Sequence, residues 1–159
     1  MRLVAASISR GTHDIARLVS EVPEAIAQIH SREGVLTTLA GGALLHAFYN
    51  ELEKLFELVA SHLEGFETSG EDWHRRLAEQ MLLEVPRVRP ALMPAALREP
   101  LQAYRSFRHL FRHLYALDLN SKRVSSLLEQ LEHDWKVIRI SFQKFEQAML
   151  AIATEMEKD

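Results

Sequence analysis

The sequence predicts an all-α fold, an up-and-down bundle of about five helices, on three observations. A heptad seam runs through the last quarter of the chain. A second apolar face of helical period occupies the middle. No segment alternates in the manner of a strand beside hairpin residues. The seam consists of Val124, Leu128, Leu131, Trp135, Ile138, Phe142, Phe145, Met149, Ile152 and Met156, at spacings of four and three. It predicts one helix over about 121–157, with Asn120 or Ser121 able to cap its start. Periodicity alone leaves open whether this seam packs within the chain or against a second copy.

The remaining elements follow in order. A first helix is expected from about Leu3 to His30, bent near Gly11 and Pro23. The second spans about Glu33–Glu64, with Phe48, Leu52, Leu55, Phe56, Val59 and Leu63 on one face and Gly65 as its stop. Gly41 and Gly42 within it point to close helix contact. A phosphate loop is disfavoured there, because no strand precedes them and no Gly-Lys-Ser/Thr follows. The third covers about Glu71–Glu84 and carries Trp73, Leu77 and Met81. Three prolines between Pro86 and Pro94 make a connector. The fourth runs over about Ala95–Leu117, with Pro100 confined to its first turns.

At 159 residues the chain reads as a single domain, 1–159. No cysteine is present, which excludes disulfides, thiolate metal sites and cysteine nucleophiles. Met1 to Arg10 lacks the continuous apolar stretch of a signal peptide and no run is long enough to span a membrane, so a cytoplasmic protein is expected. The net charge of −3 offers no general attraction for polyanions. Leu101 to Leu117 is the exception, with Arg105, Arg108, Arg112, His109 and His113 and no acid. In a helical protein the usual reading of such a segment is an aromatic core stripe beside a solvated cationic face. Here the cations repel one another along one helix, which favours an anion as their partner.

RNA supplies that anion together with a nucleophile, its 2′-hydroxyl. A histidine takes the hydroxyl proton while an arginine stabilises charge building on the phosphate oxygens, giving a 2′,3′-cyclic phosphate and a 5′-hydroxyl without a metal or other cofactor. On an ideal helix His113 lies about 140° round from Arg108 and about 7.5 Å further along, so the two flank a groove.

The run from Arg108 to Tyr115 fits Arg-x4-His-x-Tyr and resembles the motif of HEPN-domain ribonucleases, in particular HepT-like toxins. Gly42 to Glu57, Trp73-His74 and Phe107-Arg108-His109 are similar to that family as well. The resemblance implies Arg108 as the phosphate-stabilising residue and His113 as the acid/base. It implies Tyr115 as the tyrosine to which a partner MNT-type nucleotidyltransferase antitoxin adds AMP, and a homodimer whose motif helices face each other. A type VII-like toxin–antitoxin pair acting on tRNA or other RNA follows from it. Arg105, His109 and Arg112 are candidates for RNA phosphate binding. His109 stands where many HEPN motifs carry a small polar residue.

His46, Tyr49, Asn50 and Glu53 read first as a satisfied polar cluster within the bundle, and otherwise as supports of the motif helix. A di-iron site would need two Glu-x-x-His motifs, and one is present, Glu71 to His74, so no metal is expected. Trp73 and Trp135 read as core anchors. The alternative from another class is a non-catalytic module that binds RNA, nucleotide or a nucleotidyltransferase. A third assignment makes the chain the antitoxin of its pair.

Overall fold

The computed structural model describes residues 1–65, 70, 72–113 and 119–158. Helices α1 (Arg2–Ser20), α2 (Val22–Ser31), α3 (Val35–Glu64), α4 (Trp73–Met81), α5 (Arg98–His113) and α6 (Ser121–Met156) make up most of them. The all-α expectation holds, and the only bridge among the described residues is an isolated pair, Val85 with Arg89.

Helix α3 is the centre of the bundle and packs against α1, α2, α4, α5 and α6. Its middle is consequently apolar around much of its circumference, with Leu45, Phe48, Leu52, Phe56 and Val59 buried. Gly41 and Gly42 sit where neighbouring helices come closest. A β-carbon on Gly41 would stand 2.9 Å from both Ile29 Cδ1 and Val124 Cγ1, and one on Gly42 2.8 Å from Phe111 Cε2. The helix ends at Gly65, which takes φ 63° and returns its N–H to the Ala60 carbonyl.

Helix α6 lies along α1, α2 and α3, so its heptad seam is buried within the chain. Val124 to Met149 of that seam are buried, but Met156 is 67% exposed and Ala153 takes the buried place expected of its neighbours. A straight helix drifts by about 20° per heptad against a 3.5-residue repeat, and over more than four repeats that drift carries the stripe off the predicted residues. Asn120 provides the cap, its Oδ1 accepting from the Arg123 N–H at 3.0 Å.

Two boundaries differ from expectation. The first predicted helix is two helices, divided at Glu21 immediately before Val22-Pro23, because proline supplies no N–H and starts a new first turn. Gly11 does not interrupt α1; it lies inside the helix, where a β-carbon would stand 2.4 Å from Leu55 Cδ2 of α3. The third helix stops at Met81, short of Glu84, because the connector takes its last carbonyls. Leu92 and Met93 N–H groups both donate to the Met81 carbonyl, while Arg89 donates to the carbonyls of Gln80, Leu83 and Pro90. Arg89 also pairs with Glu64 at 2.6 Å, with neither side chain more than 7% exposed, which fixes the connector to the end of α3. A 3₁₀ turn over Ala95–Leu97 precedes α5, and Pro100 falls in that helix's first turn as expected. Glu71, the end of the fourth predicted helix to Leu117, and Tyr115 lie outside the described residues.

Candidate functional site

Helix α5 presents three faces to three environments. Leu101, Tyr104 and Phe107 enter the core, where Tyr104 donates its hydroxyl proton to Asp134 Oδ2 of α6 at 2.7 Å. Burial, then this bond to Asp134, raises the Tyr104 pKa. Arg108 is one residue beyond Phe107 and its side chain is 12% exposed. His109, Arg112 and His113 are exposed.

Burying a guanidinium requires partners, and α3 supplies them. Arg108 Nε donates to Asn50 Oδ1 at 2.7 Å, and Nη2 pairs with Glu53 Oε2 at 3.0 Å. Nη1 lies 3.5 Å from both Glu53 Oε1 and His74 Nδ1. The guanidinium carbon stands 5.9 Å from the centre of the Tyr49 ring. The basic segment does lack an acid of its own, but the charge of Arg108 is balanced across the helix interface.

Glu53 is shared. Its Oε1 accepts from His74 Nδ1 at 2.8 Å, and the imidazole stacks on Trp73 with ring centroids 3.6 Å apart. Trp73 is thus a half-buried wall beside this cluster, whereas Trp135 is a core residue as expected. Glu57, one turn beyond Glu53, has its pKa raised by burial and by the Glu53 charge. His46 completes the polar column on α3: its Nε2 bonds the Asn50 side-chain amide at 2.9 Å and its ring packs on Phe111 at 5.2 Å. Burial, then the charges of Arg108 and Arg112, lowers the His46 pKa. Tyr49 is fully buried and its hydroxyl has no hydrogen-bond partner among the described residues.

His46, Asn50 and Glu53 therefore do more than satisfy one another: Asn50 and Glu53 hold the arginine of the motif helix. Their spacing was the available signal, a polar column at 46, 50, 53 and 57 on an otherwise apolar helix. His74 was read as half of an incomplete metal motif. Its partner is the Glu53 carboxylate, and no group of metal-ligating side chains occurs among the described residues.

Asp72, His74, Arg75, Arg105, Ser106, Arg108 and His109 line a cleft of 390 Å³ between α4 and α5. Its walls carry three arginines and two histidines; Glu53 behind Arg108 and Asp72, paired with Arg75 at 2.9 Å, offset two of the three arginine charges, so a net positive charge remains toward an anion. Arg105 and His109 line it; Arg112 and His113 do not. His113 sits in the last turn of α5, its Nδ1 at 2.7 Å from the His109 carbonyl and its ring 4.6 Å from that of His109. A carbonyl only accepts, so Nδ1 carries a proton, and in the neutral ring the lone pair is then on Nε2. No hydrogen bond joins Arg108 and His113.

The fold and site together define an α-helical bundle in which an arginine is held by a buried carboxylate at the wall of a cationic cleft. A family model described as HepT-like protein matches residues 40–149, from the second half of α3's first turns through most of α6. The chain belongs to this HepT-like family, consistent with a HEPN domain. No curated protein and no solved structure matches it. Among the described residues no helix is long and apolar enough to cross a membrane.

Proposed function

We propose that the protein is a metal-independent endoribonuclease toxin, with Arg108 stabilising the phosphate and His113 acting on the 2′-hydroxyl proton. The observation that carries this reading is the fixed guanidinium. Asn50 and Glu53 set its plane and position, so little freedom is lost when a phosphate oxygen reaches the N–H groups left over. His113 has the tautomer a base needs, with Nδ1–H engaged and Nε2 available. Arg105 and His109 in the cleft and Arg112 on the exposed face would steer the RNA backbone by charge.

Membership of the HepT-like family supports a toxin–antitoxin setting and RNA as the ligand. On this reading tRNA is a target, the protein works as a homodimer in the cytoplasm, and a partner MNT-type nucleotidyltransferase silences it by adding AMP to Tyr115. The added phosphate would bring negative charge and bulk next to the motif helix. Since the α6 seam is used within the chain, dimerisation would employ another face.

Incubating the purified protein with total tRNA in EDTA tests the reading. Shortened RNA ending in 2′,3′-cyclic phosphate is expected from wild type, with a loss of at least about 100-fold in His113→Ala. Retention of RNA in a gel shift with no cleavage, unaffected by His113→Ala, would instead assign a binding module.

A further inference from the structure

Catalysis by one base leaves the 5′-oxygen to depart as an alkoxide, a poor leaving group, unless a second group protonates it. This inference rests on the ribonuclease reading and concerns the source of that proton. His74 has three properties suited to it. It lines the cationic cleft with Arg105, Arg108 and His109. Its side chain is 29% exposed, so it is both held and reachable. Its Nδ1–H donates to the buried Glu53 carboxylate at 2.8 Å, while Nε2 has no hydrogen bond to a described residue. A carboxylate on Nδ1–H orients an imidazole and stabilises the imidazolium when it forms, the relation found in Ser-His-Asp triads. Glu53 here serves Arg108 and His74 together, so the position of one side chain is tied to that of the other.

We infer that His74 is a second catalytic imidazole, the general acid that protonates the departing 5′-oxygen, with Glu53 as its positioning residue. His74 and Arg108 line the same cleft, and His113, five residues beyond Arg108 on α5, stands outside its lining with its ring 4.6 Å from that of His109, which is part of it. In the balanced step His113 Nε2 takes the proton of the 2′-hydroxyl, O2′ bonds to phosphorus, the P–O5′ bond breaks, and His74 Nε2 gives its proton to O5′. The products are a cyclic phosphate and a 5′-hydroxyl, and the two rings recover their starting states by exchanging protons with solvent. The charged and titratable groups around His74 are Glu53 and Glu57 on α3, Arg105, Arg108 and His109 on α5, and Asp72 and Arg75 beside it.

The test compares wild type, His74→Ala and His74→Gln on one oligonucleotide with its natural 5′-oxygen and on the same oligonucleotide with sulfur bridging at that position. Sulfur departs as a thiolate and needs no proton. On the natural substrate His74→Ala is expected to lose about 10²–10³-fold in rate, and on the sulfur substrate to come within roughly tenfold of wild type. His74→Gln is expected to behave alike while melting as wild type does. Equal losses on both substrates would overturn the inference and leave His74 a packing residue. So would a His74→Ala rate within about threefold of wild type. Absence of cleavage by wild type on either substrate would remove the ribonuclease reading itself.

Discussion

Glu53→Ala tests whether one carboxylate organises the site. The Glu53 side chain is 5% exposed and its partners Arg108 and His74 are 12% and 29% exposed. Removing one member of a buried pair typically costs about 3–5 kcal/mol, because the surviving charge stays buried. The slight exposure of Arg108 and its retained bond to Asn50 place this case near the lower end, about 3 kcal/mol. For a chain of this length each kcal/mol corresponds to roughly 2–4 °C, so Glu53→Ala should melt about 6–12 °C below wild type. Arg108→Ala should cost less, about 2 kcal/mol, because Glu53 keeps His74 as a partner. The pair Glu53→Leu with Arg108→Met should recover much of the loss, since neither charge of that ion pair is then stranded and His74, 29% exposed, keeps contact with solvent. Thermal melts by circular dichroism with urea titrations give all four values. A drop under about 2 °C for Glu53→Ala, or a double variant no better than the single, would refute the claim that the site is a desolvated, mutually dependent cluster.

Further outcomes follow from particular contacts. Tyr49→Phe should be neutral or stabilising by up to about 1 kcal/mol in urea melts, because the hydroxyl it removes is buried without a partner among the described residues while the ring under Arg108 stays. Gly41→Ala gains roughly 1 kcal/mol of helix propensity, yet its β-carbon meets Ile29 and Val124 at 2.9 Å, so a net destabilisation of about 1–2 kcal/mol is expected. His46 has its pKa lowered by burial and by Arg108 and Arg112, so the unfolded chain binds a proton that the folded one resists. Its contribution is therefore lost as pH falls below the ordinary value of 6.5, and urea midpoints should fall between about pH 7 and pH 5.5 less steeply in His46→Phe than in wild type.

Much of the fold was legible because it rests on local regularities. The α6 seam from Val124 to Met149, the Asn120 cap and the Gly65 stop are each written within one helix, and each is found in place. What periodicity missed depends on distant residues. The end of α4 at Met81 is decided by Arg89, Leu92 and Met93, and the glycine at position 11 inside α1 answers to the close approach of Leu55. The site divides in the same way. Arg108 was visible in its motif, but its partners Asn50, Glu53 and His74 come from two other helices, and sequence spacing does not encode which helices meet. The basic segment accordingly looked unbalanced when only its own residues were counted.

Single-turnover cleavage of tRNA in EDTA by wild type, Arg108→Lys and Arg108→Ala addresses the central claim most directly. Lysine keeps the charge but loses the planar fork that Asn50 and Glu53 hold, so both variants should fall by about 10²–10³-fold while any residual product still ends in cyclic phosphate. An Arg108→Lys rate within about threefold of wild type would contradict the account: the phosphate would then need only a positive charge, and the fixed guanidinium would have no catalytic part.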